Sequence, residues 1–230
     1  MTKNLKISLS LVAAAVVALG LLLVFDRSSG SRSDAGAGAG GGGTASPGAA
    51  AAPSSRLVRP DSHRLSTAKD GRVTVVEFLD LECESCRAAF PVVERLRKEY
   101  EGRVTFVVRY FPIPSHRNAE LAARVVESAA AQGKFEAMYA RMYETQEKWG
   151  ERQDSQEATF RGFARDLGLD MAAFDKALKD PATAERVDKD RRDGLLLGVR
   201  GTPTFFVNGK RPQITSYEDF KAAIDAELAQ

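Results

Sequence analysis

Apolar and polar positions fall into three regimes along the 230 residues of the chain. From Ile7 to Phe25, ISLSLVAAAVVALGLLLVF runs nineteen residues without a charge. As a helix rising about 1.5 Å per residue it would span roughly 28 Å, close to the hydrocarbon core of a bilayer. Lys3 and Lys6 precede it, and Asp26 and Arg27 follow. That asymmetry keeps residues 1–6 in the cytoplasm and sends the rest of the chain outside. A cleaved signal peptide is the competing reading, with an apolar region usually of 7–15 residues ahead of a polar mature start. Here Ala18-Leu19-Gly20 leads into more apolar sequence. The expectation is a signal anchor at 7–25, single-pass in the cell membrane with an extracytoplasmic domain, secreted if the segment is cleaved.

The second regime, 26–60, is rich in Gly, Ala, Ser and Pro and nearly free of large apolar groups. It cannot bury enough surface to offset its ordering entropy, so a flexible linker is expected. Residues 61–230 remain as one domain of ordinary size.

Within 61–230 the period switches between strand and helix. RVTVVEFLD (Arg72–Asp80) is β-branched and almost continuously apolar, as a buried central strand is. CRAAFPVVERLRKEYEG reads as a helix with Val93, Leu96 and Tyr100 on one face, a stop at Gly102 and a kink expected at Pro91. RVTFVVRYF (Arg103–Phe111) is a second buried strand, and the three together suggest a parallel βαβ unit. From Arg117 to about Leu197 the pattern is helical. Leu121, Val125 and Ala129 precede a stop at Gly133, and Phe135, Met138, Met142 and Tyr143 form the next stripe. Asp154 with Glu157 reads as a capping box ahead of Phe160, Phe163 and Leu167, closed by Gly168. Asp180-Pro181 opens a further helix with proline at its preferred first position. After Gly201, TPTFFVNGKR reads as a short strand with a turn at Asn208-Gly209. Thr215 and Glu218 then cap a last helix through Phe220, Ile224 and Leu228. The fold class predicted is α/β, with a helical insertion at about 115–197.

Charge adds little. Residues 1–60 hold six Lys/Arg and two Asp/Glu of the chain's 33 and 31, so the domain is near −2. The basic balance of the whole chain belongs to the tail and gives no reason to expect nucleic acid.

The candidate chemistry lies in LDLECESCRAAF, which holds both cysteines, Cys83 and Cys86. A zinc site usually needs four Cys or His ligands; one C-x-x-C clip with His63 and His116 gives no recognised spacing, so no metal is expected. Cysteines three apart on the first turn of a helix are within disulfide range, but so small a loop makes a poor structural staple. The reactive reading has a positive mechanism. A strand running directly into a helix puts Cys83 at the helix N-terminus, where free N–H groups and the macrodipole favour a thiolate. Cys86, one turn deeper, is placed to resolve a mixed disulfide formed at Cys83.

VTVVEFLDLECESC resembles the strand, turn and active-site helix of exported DsbA-like thiol-disulfide oxidoreductases, which have the thioredoxin fold. RYFPIPSHRNAELAARVVESAAAQGKFEAMYARMYETQEKW is similar to their helical insertion, and GVRGTPTFFVNGK to their cis-proline loop and following strand. The resemblance covers about 62–228. It implies a thioredoxin-like fold with an inserted helical subdomain, Cys83 as exposed nucleophile and Cys86 as buried resolving thiol. It implies that Thr202-Pro203 is cis and docks an extended substrate, and that Glu77 is a buried carboxylate moving the proton. His116 reads as structural. Between the cysteines, Glu84-Ser85 replaces the Pro-His, Pro-Tyr or Pro-Phe often found in the family. Glu84 and Ser85 are therefore candidate redox-tuning residues. Glu82 and Glu84 flank the nucleophile and Asp80 is close in sequence, so their charge is expected to raise the Cys83 pKa and weaken the protein as an oxidant.

The activity implied is disulfide exchange with exported proteins, with no cofactor beyond the cysteine pair. With no third cysteine to pass electrons on, a separate redox partner is expected, with a membrane protein as the candidate. A reductase of the same fold, or a client-binding chaperone whose cysteines are incidental, are the rival readings.

Overall fold

The computed structural model describes residues 54–230. The anchor expected at 7–25 and most of the linker lie outside the described residues. Among the described residues the order is α1 (Ser54–Leu57), β1 (His63–Ser66), β2 (Val73–Leu79), α2 (Glu84–Glu99), β3 (Val104–Tyr110), α3 (Ala119–Ala130), α4 (Phe135–Trp149), α5 (Glu157–Asp166), α6 (Met171–Lys179), α7 (Pro181–Leu196), β4 (Thr204–Val207) and α8 (Tyr217–Leu228). The sheet runs β1-β3-β2-β4. β2 and β3 are parallel, joined through α2, and β1 and β4 pair antiparallel at the two edges. The expected βαβ unit and the helical insertion at about 115–197 are therefore both present.

Alternation along β2 decides what each face meets. Val73, Val75 and Leu79 point into the larger core with Val93, Leu96 and the aromatic residues of α4, while Val76 and Phe78 point into a smaller one with Leu57, Phe111, Val199 and Phe206. Glu77 shares the face of Val75 and Leu79 by the same period. Gly194 lets α7 lie close against the smaller core, since a Cβ there would stand 2.6 Å from the ring of Phe111.

Three local expectations need correction. The linker does not reach residue 60, because Ser54–Leu57 is helical, Leu57 is buried, and Arg59 pairs with Asp193. No Asp154–Glu157 capping box forms, since the N-cap of α5 is Gln156. The box on the last helix is made by Ser216 and Asp219, one residue on from Thr215 and Glu218. Pro91 sits inside α2, which continues on both sides of it. The Asn208-Gly209 turn is present with both residues at positive φ, 46° and 81°, and Val207 and Lys210 exchange two backbone hydrogen bonds across it.

The segment before β1 is docked by charge. Arg109 on β3 is fully buried and faces α7. Its Nε donates to Asp190 at 2.7 Å, one terminal nitrogen donates to Asp193 at 2.7 Å, and the other to the carbonyls of Arg56 and Leu57 at 2.6 and 2.7 Å. Asp190 also accepts from Tyr110 N and pairs with Arg186. A buried cation with every nitrogen hydrogen-bonded specifies geometry more than it adds stability, but removing it leaves two buried carboxylates with only Arg186 and Arg59 as cationic partners. Replacing Arg109 by Met is therefore expected to cost about 3–5 kcal/mol, read as a drop in the urea unfolding midpoint at unchanged slope. An unchanged midpoint would show that the cluster does not hold the segment in place.

Candidate active site

β2 ends at Leu79 and α2 begins at Glu84, so Asp80, Leu81, Glu82 and Cys83 form the joint between them. This joint is held from every side. Cys83 N donates to Asp80 O at 3.2 Å. The Asp80 carboxylate, fully buried, accepts from Glu82 N, Ile113 N and the His116 ring. The Glu82 carboxylate, also buried, accepts from Asn118 N and Glu151 N. From α4, Tyr143 donates its hydroxyl to Asp80 O at 3.3 Å, and Gln146 donates its amide to Leu81 O and Cys83 O at 2.7 and 3.1 Å. The insertion and the loop that leads into it thus supply most of the partners that fix the four residues.

Cys83 is the N-cap of α2, with extended backbone angles (φ −71°, ψ 122°). No capping hydrogen bond forms in the strict sense, yet the amides of Ser85 and Cys86 lie close enough to its sulfur to favour negative charge. Thr202 and Pro203 are joined by a cis bond, and the Thr202 carbonyl accepts from the Cys83 Sγ at 3.4 Å across 119 residues of sequence. The Thr202 hydroxyl is buried with no hydrogen-bond partner among the described residues, and the Thr202 side chain lowers the pKa of the same sulfur.

These contacts set the thiols apart. The Cys83 pKa falls from 9.0 to about 5, first through the hydrogen bond from the Cys86 thiol, then, against the cost of partial burial, through Thr202 and the backbone amides. Cys86 is fully buried, and burial pushes its pKa well up, helped by the bond to Cys83 and by Glu77. At neutral pH the pair is a half-exposed thiolate beside a buried thiol.

The expectation that flanking acids raise the Cys83 pKa is overturned. Glu82 and Asp80 are turned inward and spend their charge on backbone amides and His116. Glu84 is exposed in the first turn, where water screens it. Arg87 pairs with Glu147 on α4. Ser85 acts through its backbone amide rather than its side chain.

Glu77 lies where the alternation of β2 puts it, buried, with Oε2 lacking any hydrogen-bond partner. Burial, then the charges of Glu94 and Cys83, raises its pKa from 4.5 to about 8. Glu77 does not face the surface. Beside Pro203 a groove of about 310 Å³ is lined by Ala89, Val92, Pro203, Phe205, Ile214 and Phe220. It is chiefly apolar in its side chains and runs from the active-site helix to the loop before α8.

Gln146 was not singled out by the sequence patterns, though the sequence carries its signal. It falls four residues after Met142 and eight after Met138, a polar residue on an apolar stripe, and it is buried. Asp80 and Glu82 were noticed for their charge but not for their inward orientation, which depends on amides at Ile113, Asn118 and Glu151.

Residues 65–226 match the sequence profile of the family described as Thioredoxin. Among curated proteins, the chain is 34% identical over 154 residues to the Na(+)/H(+) antiporter NhaA of Herminiimonas arsenicoxydans, covering 67% of this chain and 24% of the antiporter. It is 36% identical over 155 residues to NhaA 3 of Salinispora tropica, covering 67% and 23%. The chain thus spans about a quarter of the length of these curated relatives. Among solved structures, a thioredoxin-like oxidoreductase from Silicibacter pomeroyi superposes with a TM-score of 0.65 at 27% identity, over 78% of this chain and 99% of that one. Alpha-DsbA1 of Wolbachia pipientis (0.65, 18%, over 75% and 94%) and BdbD of Bacillus subtilis (0.62, 23%, over 72% and 92%) share the fold.

Glu77 has a consequence for stability that is independent of any substrate. Its folded pKa lies above its unfolded value, so between about pH 4.5 and 8 the folded protein holds a proton that the unfolded chain has released. Stability from this group is full below that window and is lost as pH rises through it. Glu77→Gln should match the wild type near pH 4.5 and exceed it progressively toward pH 8, by roughly 5 kcal/mol at most. The Cys83 contribution runs in the opposite sense and, apart from its charge coupling to Glu77, is common to both proteins. Denaturant unfolding of the two reduced proteins across pH reads it directly; a constant difference would mean that Glu77 titrates normally.

Proposed function

Because the chain belongs to the thioredoxin family and has the fold of the DsbA-like thiol-disulfide oxidoreductases, we propose that it is a membrane-anchored, extracytoplasmic oxidoreductase that passes disulfides to exported proteins. The observation that carries this reading is the asymmetry of the two thiols, with Cys83 at about pKa 5 and Cys86 far above 9.

In the forward direction a client thiolate attacks the Cys83 sulfur of the Cys83–Cys86 disulfide. A client–Cys83 bond forms as the Cys83–Cys86 bond breaks, and the Cys86 sulfur takes a proton. A second client thiolate then attacks the client sulfur, forming the client disulfide and releasing Cys83 as a thiolate. Two electrons have moved from the client to the pair, with one client proton released to solvent and one proton taken up at Cys86. Glu77, with its pKa near neutrality and its charge felt at Cys86, is placed to hand that proton in and to take it back when the pair is reoxidised. Thr202 presents its backbone to the client, and the apolar groove beside Pro203 takes the client's flanking side chains. No cofactor beyond the cysteine pair enters these steps. Reoxidation needs an external acceptor of two electrons, a separate redox partner, and tethering through residues 7–25 would raise the local concentration of one held in the same membrane. The antiporters' activity is not carried over.

A stabilised thiolate favours the reduced pair, so the disulfide is an oxidant rather than a reductant. This reverses the weak-oxidant expectation drawn from the local acids. Equilibration against glutathione is expected to give a potential well above the roughly −270 mV of a reducing thioredoxin. Cys86→Ala should accumulate mixed disulfides with exported proteins, and Cys83→Ala should accumulate few. A potential at or below the thioredoxin value would favour the reductase reading. Client binding that survives Cys83→Ser with no disulfide exchange in the wild type would favour the chaperone.

A further inference from the structure

His116 is tied to the redox joint without being used in the steps above. Its Nδ1 lies 2.7 Å from the Asp80 Oδ2, and Asp80 is the residue whose carbonyl accepts the Cys83 amide. The Asp80 side chain is fully buried, whereas the His116 side chain is 30% exposed. The exposed side of the ring lines a cleft of about 720 Å³ between the loop after β3 and α7, with Ile113, Arg117, Glu185, Asp188 and Arg191 among its walls. One edge of the imidazole therefore rests on a buried carboxylate one turn from the nucleophile, and the other reaches solvent.

Resting on the redox reading above, we propose that His116 is a positioning residue for charge. Seated on Asp80 at the rim of the cleft, it takes up part of a proton when the disulfide is reduced and returns it when the disulfide re-forms. The balance is simple. Two electrons and one proton convert the Cys83–Cys86 disulfide to a Cys83 thiolate and a Cys86 thiol, leaving one new negative charge at the helix N-terminus. His116, hydrogen-bonded to Asp80 three residues before Cys83, feels that charge and binds its own proton more tightly, with the proton drawn from solvent through the cleft. By thermodynamic reciprocity, a protonated His116 holds the Cys83 thiolate more firmly by the same factor.

The charges around the ring are of both signs, and those that act most on it are negative. From the joint after β2 come Asp80, Glu82 and Cys83; on its own loop and the start of α3 stand Arg117 and Glu120; across the cleft on α7 stand Glu185, Asp188 and Arg191. Partial burial opposes the charged ring, but the Asp80 hydrogen bond and the charges of Asp80, Cys83 and Glu82 outweigh it and raise the His116 pKa above 6.5. Asp80 itself is pushed up by burial, and its two backbone amides and His116 offset that only in part.

The chain has two histidines, so ring resonances in an NMR titration are easily resolved. His63, on β1, pairs with Glu127 and stacks on Phe135 at 3.9 Å, and serves as the internal control. The full domain is titrated from about pH 5 to 9 in its fully oxidised and fully reduced forms, with assignment from His116→Gln. The expected result is a His116 proton affinity about threefold or more higher in the reduced protein, the size of a partly screened charge pair, with His63 unmoved. The same midpoint in both forms, or a lower one in the reduced form, overturns the proposal. A second measurement does not depend on assignment. One proton per two electrons gives a tenfold change in the equilibrium constant per pH unit, or 29.6 mV. The wild type should exceed that slope around the His116 midpoint and His116→Gln should not; Glu77→Gln, whose own excess is centred near pH 8, should keep the His116 part. A pair that forms no reversible disulfide would bring down the redox reading and this inference together, whereas a reversible pair with an unmoved His116 sinks the inference alone.

Discussion

A sulfur anion at the start of a helix must be held by hydrogen-bond donors, and the rest of the molecule is arranged around that requirement. The Cys86 thiol, the Thr202 side chain and the amides of Ser85 and Cys86 act together on the Cys83 sulfur. Each depends on a different part of the chain. The amides need β2 to stop at Leu79 and α2 to begin at Glu84; Thr202 needs the loop before β4 to return to the Cys83 sulfur; the buried thiol needs the larger core closed over Cys86. Donors fixed before the charge appears need no reorganisation when it does, which is why geometry rather than net charge sets the thiol's acidity.

The insertion explains how the joint stays in that geometry. A four-residue connection with two carboxylates and four carbonyls would be costly to bury without partners. Here Tyr143 and Gln146 on α4, the amides of Ile113, Asn118 and Glu151, and His116 supply them. The acids that look repulsive in sequence are the acceptors that bind the joint to the helices. Glu77 is the exception. Its unpartnered Oε2 faces the same core as Cys86, and the proton it keeps near neutrality is the cost of that burial.

Much of this was readable from residue patterns. The continuous apolar runs of β2 and β3, the Asn208-Gly209 turn and the Asp180-Pro181 helix start each follow from short-range rules, and the structure has them in place. The pairing of Cys83 with Thr202-Pro203 came from family resemblance, because nothing local links residues 119 apart. What escaped depends on partners far along the chain. β1 is four residues with one buried side chain, too short for alternation to show, and it exists because β3 offers an open edge. The docked segment at Arg56–Arg59 is polar and looks like linker until Arg109, Asp190 and Asp193 are brought together. Arg109 itself was a legible irregularity in a buried strand, as Glu77 was, but its meaning lay on α7. The acidity of Cys83 was misjudged for the same reason. Counting charges along the sequence cannot tell a carboxylate aimed at a thiol from one aimed at an amide.

The account rests on Cys83 being a thiolate at neutral pH while Cys86 is not. Titrating the ultraviolet absorbance of thiolate in the reduced protein tests this without a substrate or a partner. The prediction is one thiol ionising with a midpoint near pH 5 and a second that stays protonated well past pH 9. Two thiols ionising together near the ordinary value of 9.0 would contradict it, and with it the redox direction proposed for the pair.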